Sequence, residues 1–153
     1  MTREQTCCIT GHRNIPTEKR DLIKALLRRE VLKAISEGYR HFISGFAAGV
    51  DLIFAETVAE LKREYLITLE AAIPYPGRMN TPDKTFQRLI KNCDVIRVHA
   101  DHYYKECYMN RNRYMVDSST MVIAVSDGRE YGGTVATMRY ANSKGCMIKE
   151  IRL

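Results

Sequence analysis

The chain has 153 residues, of which 45% are hydrophobic and 27% are charged, and this composition excludes disordered and fibrous classes of protein. The length is typical of one domain, which buries about two-thirds of the surface that the unfolded chain would expose. The formal net charge of +6 favours anionic ligands, although acidic residues alternate with the basic ones along the first predicted helix, as they do on a solvated helix face.

The N-terminal residues are not apolar enough for a signal-peptide core, and no segment reaches the roughly 18 apolar residues of a membrane span. The longest apolar run, residues 65–72, is interrupted by Glu70. We therefore expect a cytoplasmic protein without a membrane partner. In a reducing cytosol the five cysteines are most simply packing residues, with Cys7 and Cys8 inside the first strand.

Short apolar runs alternate along the chain with longer helical patterns. In chain order, the predicted elements are a strand over 6–10, a helix over 17–35, a strand over 41–44, a helix over 49–61, a strand over 66–73, a helix over 82–90, a strand over 94–98, a helix over 103–116, a strand over 121–125, a helix over 132–141 and a strand over 147–151. Thr17 and Thr81 are the predicted N-caps of the first and third helices, with Pro82 at the first helical position. Gly38 and Gly145 follow predicted helix ends.

Strands that alternate with helices through short loops predict βαβ units with right-handed crossovers. The fold class is therefore α/β, a single Rossmann-like three-layer domain over residues 1–153 with a mostly parallel sheet of about six strands. The chain has no internal repeat and no low-complexity linker, so one domain accounts for all of it.

In such a sheet, ligands bind at the carboxyl ends of the strands, near the point where the strand order reverses. Three glycine-containing turns follow predicted strands: Gly11-His12-Arg13, SGFAAGVD at residues 44–51, and Gly132-Gly133-Thr134. Small residues let the backbone approach a phosphate, and the amides and dipole of a helix N-terminus favour it. Two helix-opening turns of this kind predict a phosphate-bearing, nucleotide-type ligand. His12, beside Arg13, could titrate near the ligand, but we favour a loop histidine that faces solvent.

Side chains in these turns add to the same chemistry. Arg13 supplies a fork-shaped cation suited to phosphate, and Thr134 and Thr137 add hydroxyls. Asp51 could accept a ribose hydroxyl, or it could complement the dipole of its helix. Gly45 and Gly49 could instead serve only tight turning and close packing. Neither turn matches GxGxxG or a P-loop, so the common dinucleotide and NTPase fingerprints are absent.

The sequence resembles a known superfamily in these same turns. SGFAAGVD resembles the SGxAxGxD turn of the SLOG (DprA/LOG-like) superfamily, and residues 111–141 resemble the RNxxMVDxSxxVIAVxDGxxGGTxxTxxYA pattern of its YpsA-like branch. The TGHR sequence at residues 10–13 also fits. The resemblance covers essentially the whole chain. It implies a Rossmann-like fold with a site for a nucleotide derivative, often in a homodimer.

The resemblance also implies which residues surround that site. They are Gly11, Arg13, Ser44, Gly45, Gly49, Asp51, Arg111, Asn112, Asp117, Gly132, Gly133, Thr134 and Thr137. Asp117 could instead cap or orient the loop before the fifth strand.

The catalytic residues, if any, are undetermined. The LOG enzymes of this superfamily remove a base from a nucleoside monophosphate and carry a catalytic glutamate in the motif PGGxGTxxE. The corresponding residue here is Thr137, which cannot supply the negative charge that an oxocarbenium-like centre requires. Asp127, Asp117 and Glu130 are the candidate displaced acids, although Asp127 with Gly128 is also a good turn pair and Glu130 could be an ordinary exposed acid.

Three functions follow from these observations. The first is binding or sensing of a nucleotide derivative related to NAD or ADP-ribose, with no cofactor assigned. The second is an N-glycosidase or phosphohydrolase with a displaced acid. The third is single-stranded DNA binding of the DprA type, which is disfavoured because the aromatic residues do not interleave with a dense basic stripe.

Two other clusters have simpler interpretations. The spacing of His99, His102 and Cys107 matches no zinc motif, so we predict no metal site. Three nearby tyrosines could form a lid, a stacking wall over a base or a dimer contact, but we favour plain packing for Tyr103, Tyr104 and Tyr108.

Overall fold

A computed structural model describes residues 2–153, and these residues form one six-stranded sheet in which neighbouring strands are parallel. The strands are β1 (Thr6–Gly11), β2 (His41–Ser44), β3 (Thr68–Ile73), β4 (Val95–Val98), β5 (Met121–Ser126) and β6 (Met147–Arg152). Their spatial order is β4-β3-β2-β1-β5-β6. The chain therefore builds outward from β1 to β4 and then crosses back to place β5 on the other side of β1.

Within residues 2–153, five α-helices cover the sheet. They are α1 (Arg20–Ser36), α2 (Val50–Leu61), α3 (Lys84–Ile90), α4 (Cys107–Asp117) and α5 (Gly133–Ser143). Helix α2 packs against α1 and α3, and α4 packs against α5. Right-handed crossovers place these two groups on opposite faces of the sheet. The predicted Rossmann-like, three-layer α/β fold is confirmed.

Several element ends differ from the prediction. Thr81 is not the N-cap of α3, because the Asp83 carboxylate accepts hydrogen bonds from the amides of the second and third helical residues. Thr17 makes no side-chain cap and instead begins a 3₁₀ turn that precedes α1. Helix α4 begins at Cys107 rather than Tyr103, and β3 begins at Thr68 rather than at residue 66.

The apolar core lies on both sides of the central strands. Cys7 and Cys8 are fully buried in β1, as predicted. Every residue of β5 is buried, as expected for a strand that lies inside a parallel sheet. Helix α2 buries most of its residues because it contacts helices on both sides as well as the sheet. Among the helices described over residues 2–153, none is both long enough and apolar enough to cross a membrane.

A buried carboxylate interrupts the apolar surface of β3. Glu70 is 3% exposed, and its Oε1 lies 2.7 Å from Nε2 of His41 while the Tyr114 hydroxyl donates to its Oε2. Burial acts to raise the pKa of Glu70, but the hydrogen bonds from His41 and Tyr114 outweigh it, so this pKa lies below its usual value. The network ties α4 to the strands beneath it.

Candidate ligand-binding site

A cavity of about 350 Å³ opens at the carboxyl ends of β1, β2 and β5. This is the topological switch point, because β2, β3 and β4 follow one another on one side of β1, whereas β5 pairs with β1 on its other side. The cavity wall contains seven residues that the sequence predicts for the site: Gly11, Arg13, Asp51, Arg111, Asn112, Gly133 and Thr134. Residues far apart in sequence thus converge where the fold favours ligand binding.

The first turn is shaped by close packing between β1 and α2. A Cβ atom on Gly11 would lie 2.4 Å from a methyl carbon of Val50, so only glycine fits at this position. The amide of Val50 donates to the carbonyl of His12 at 3.2 Å, which fixes the start of α2 against this turn. Arg13 then extends along the cavity with its guanidinium carbon 4.7 Å from the centre of the Tyr108 ring.

The second turn depends on Ser44 and Gly49, neither of which lines the cavity. The buried Ser44 hydroxyl donates to the carbonyl of Asp51 and accepts from the amide of Phe46, which has a positive φ of 57°. Gly49 has a φ of +81°, and a Cβ atom there would lie 2.4 Å from the carbonyl oxygen of Arg13. Ser44 therefore fixes the shape of the second turn, and Gly49 lets this turn pack against the first.

Of the carboxylates in residues 2–153, only Asp51 lines this cavity. It is 8% exposed, and its Oδ2 accepts a hydrogen bond from the amide of Ala47 at 3.3 Å. Burial raises the pKa of Asp51 to about 6, against the opposing effects of the Arg111 charge, the Ala47 amide and the Arg13 charge. The carboxyl group therefore changes charge close to neutral pH.

Arg111 is both a cavity residue and a structural bridge. It is 3% exposed, and its Nη1 donates to the carbonyls of Gly45 at 2.7 Å and Ala72 at 2.9 Å. Its Nε donates to the side chain of Asn112 at 2.8 Å. A Cβ atom on Gly45 would lie 2.8 Å from both Arg111 Cζ and Asp51 Oδ2, so glycine is required there to let these two charges approach the turn.

The third turn places the N-terminus of α5 in the cavity wall. Gly132 precedes the helix with a φ of +105°, and Gly133 and Thr134 follow in its first turn. The first amides of a helix have no partner within the helix, and they favour an anion in front of them. Thr137 lies one turn further on, where its buried hydroxyl donates to the carbonyl of Gly133 at 2.8 Å.

His12 does not face open solvent, contrary to the interpretation from sequence. Its side chain is 11% exposed and lines the cavity. Its Nε2 accepts from the amide of Asp127 at 3.2 Å, and its Nδ1 lies 3.5 Å from the Thr134 hydroxyl. Burial lowers the pKa of His12, and the charge of Arg129 adds to that effect, so the imidazole is neutral at pH 7.

The three acids considered as catalytic candidates lie outside the cavity wall. Asp127 pairs with Arg129, whose hydrogen bonds hold the pKa of this carboxyl well below its usual range. Asp117 ends α4 and accepts a hydrogen bond from the Tyr140 hydroxyl at 2.8 Å. Glu130 is exposed, and its carbonyl accepts from Arg139.

Six residues of the cavity wall were not predicted for the site: Ile9, Thr10, His12, Asn14, Ala47 and Arg129. His12 and Asn14 flank Arg13, so their place after the first strand was the available signal. Arg129 lies between two turn signals, and no feature of the sequence shows that it folds back over the site. In residues 2–153 no group of three His, Cys, Asp or Glu side chains could hold a metal ion.

A parallel sheet with a cavity at its switch point defines a Rossmann-like α/β protein, and the cavity lies where ligands usually bind in that class. Within this class, the chain belongs to the YspA SLOG family, whose model matches residues 7–150. A curated relative, a UPF0398 protein from Ligilactobacillus salivarius (strain UCC118), is 26% identical over 140 residues, which are 82% of this chain and 76% of the relative.

Two solved structures share the fold. DNA processing protein A from Helicobacter pylori, which binds single-stranded DNA, matches 96% of this chain with a TM-score of 0.67 and 19% identity. The match covers 64% of that protein, which is less than two-thirds of its length. The structural-genomics target TM1055 matches 94% of this chain with a TM-score of 0.60 and 16% identity, over 72% of its own length.

Proposed function

We propose that the chain binds a phosphate-bearing nucleotide derivative in the cavity at the carboxyl ends of β1, β2 and β5. The observation that carries this proposal is the convergence of three arginines and the N-terminus of α5 on one cavity. The phosphate would lie before Gly133 and Thr134, where helix amides favour an anion.

The charge balance of the cavity supports an anionic ligand. Arg13, Arg111 and Arg129 line it, and Asp51 is the lining carboxylate within residues 2–153. Arg129 is paired with Asp127 outside the wall, and Asp51 carries only part of its charge near pH 6. Positive charge therefore exceeds negative charge, which a phosphate would offset with bidentate arginine contacts.

The comparisons support the same class of ligand. Membership of the YspA SLOG family agrees with a nucleotide-derivative site, and the structural relative from Helicobacter pylori binds a polymer of nucleotides. A hydrolytic reaction at this site would need an acid close to the ligand, and Asp51 is the carboxylate placed to supply it. Product analysis with each bound nucleotide would distinguish turnover from binding.

The first experiment measures thermal unfolding with AMP, ADP, ADP-ribose, NAD and a short single-stranded DNA. A ligand at one hundred times its Kd adds about 2.7 kcal/mol to the free energy of unfolding. For a domain of this size that stabilisation raises Tm by roughly 5–10 °C. We expect such a shift with one class of nucleotide.

Gly133→Val is the most informative variant. A Cβ atom at Gly133 would meet no other atom within 4 Å, so a larger side chain fits the fold while it fills the space in front of the helix amides. We expect an unchanged Tm without ligand and loss of the ligand-induced shift. Arg13→Gln should also weaken binding, whereas Arg28→Gln removes an exposed charge on α1 and serves as the matched control. Equal shifts in the wild type and in Gly133→Val would contradict the proposed site.

A further inference from the structure

A second, smaller cavity adjoins the first. It measures about 130 Å³ and is lined by the second turn together with Arg13, Arg78 and Tyr108. Arg78 comes from the 3₁₀ helix Pro76–Asn80 after β3, and Tyr108 comes from α4. Arg13 and Ala47 line both cavities, so the two lie side by side. A complete small-molecule site is usually about 300–1,000 Å³, and this cavity is therefore suited to one part of a ligand that also occupies the larger one.

Aromatic rings position the two arginines of this cavity. The guanidinium carbon of Arg13 lies 4.7 Å from the centre of the Tyr108 ring, and that of Arg78 lies 5.7 Å from the centre of the Phe86 ring. Stacking of this kind uses the flat face of a guanidinium and leaves its N–H edge able to donate. Within residues 2–153 neither arginine forms an ion pair.

The charge around this cavity is strongly positive. Arg78 and Arg13 lie close enough to Arg111 that their charges, after the larger effect of burial, help to lower the pKa of Arg111. No carboxylate of residues 2–153 lines the cavity, and Asp51 is the nearby acid on the turn below. Three neighbouring arginines with one partly charged acid leave an excess of positive charge.

An anion fits this cavity better than a nucleobase does. Arg13 already covers the Tyr108 ring, and a base would have to displace it in order to stack there. Tyr75 packs in a T-shaped arrangement against this ring and also against Tyr103, so these rings do not form a parallel slot. The exposed groups of the cavity are instead guanidinium edges and small residues, which suit a phosphate.

We propose that the second cavity binds a second phosphate group of the same ligand, through Arg13 and Arg78. The preferred ligand then contains a diphosphate, either terminal, as in a nucleoside diphosphate, or internal, as in a pyrophosphate-linked nucleotide. This proposal rests on the proposed function, since the first phosphate would occupy the larger cavity. It assigns roles to Arg78 and Tyr108, which the sequence motifs do not include.

The test measures Kd by calorimetry for AMP, ADP and ADP-ribose with the wild type, Arg78→Gln and the control Arg28→Gln. Hydrogen bonds to a charged group contribute enough for a roughly 10- to 100-fold change in affinity. We expect the wild type and Arg28→Gln to bind ADP or ADP-ribose tighter than AMP by this factor. Arg78→Gln should lose the preference and keep its affinity for AMP. A terminal diphosphate is distinguished by ADP binding tighter than ADP-ribose, and an internal one by the reverse.

Arg78→Lys guards against a folding defect, because it keeps a positive charge next to Phe86 but lacks the fork. It should show an intermediate preference. Equal Kd values for AMP, ADP and ADP-ribose in the wild type would overturn this proposal and leave the proposed function standing. Binding of no nucleotide would overturn both. A short oligonucleotide that binds tighter than ADP would also overturn it, since the two anion positions would then hold successive phosphates of a strand.

Discussion

Asp51 provides a direct test of the electrostatics of the site. Its pKa rises from 3.8 to about 6 on folding, and a shift of this size corresponds to about 3 kcal/mol. Because the unfolded carboxyl loses its proton at a lower pH than the folded one, the free energy of unfolding decreases as pH rises through this range. About 2 kcal/mol of the loss develops between pH 4.5 and pH 7.5. Asp51→Asn removes the titration and keeps an oxygen that can accept from the Ala47 amide.

We therefore expect Asp51→Asn without ligand to be more stable than the wild type at pH 7.5, with a smaller difference at pH 4.5. The assay is urea denaturation of both proteins at the two pH values, with Asp101→Asn, a change at an exposed acid, as the control. The quantity of interest is how much the difference in unfolding free energy between Asp51→Asn and the wild type changes from pH 4.5 to pH 7.5. Effects of the substitution that do not depend on pH cancel in this quantity. If that difference does not change with pH, Asp51 does not titrate near pH 6 and the argument for partial charge in the cavity fails.

Two further predictions concern the framework. Gly49→Ala should destabilise the protein more than Gly38→Ala, because both positions have a positive φ but only Gly49 would bring a Cβ atom within 2.4 Å of a backbone oxygen. Thermal unfolding should show a cost of about 1–2 kcal/mol for Gly38→Ala and a clearly larger one for Gly49→Ala; equal costs would mean that the two turns can separate freely. Glu70→Gln should cost about 1–3 kcal/mol at pH 7. Because the pKa of Glu70 is lowered on folding, its contribution is present above pH 4.5 and is lost as pH falls through the folded value, so the difference between the two proteins in denaturation should shrink as pH is lowered below 4.5.

The order of strands and helices could be predicted because it depends on local hydrophobic patterns. The ends of elements could not be predicted as well, since they depend on which of several nearby side chains caps the free amides. Asp83, for example, satisfies two amides of α3, which a capping rule applied to Thr81 and Pro82 does not consider. The buried network around Glu70 was also invisible, because its partners come from β2 and α4.

The same contrast between local patterns and contacts of distant residues explains how much the sequence indicates about the candidate site. The backbone of each glycine-containing turn is encoded locally, so the motifs identify three turns that the structure brings to one edge of the sheet. Charge balance is a tertiary property. Arg78 reaches the second cavity from the connection after β3. Asp127, one of the candidate catalytic acids, lies outside the wall of the larger cavity and pairs with Arg129.

Arg111 shows why a residue shared by scaffold and site is hard to interpret from sequence. Its guanidinium joins the carbonyl of the second turn to that of β3, so a substitution there would disturb the turn as well as any ligand. Loss of function in an Arg111 variant would therefore not identify a ligand contact. Gly133 and Arg78 are better probes, since neither bridges two backbone segments through its side chain. A ligand effect at those positions, with the free protein unchanged in stability, would separate binding from folding.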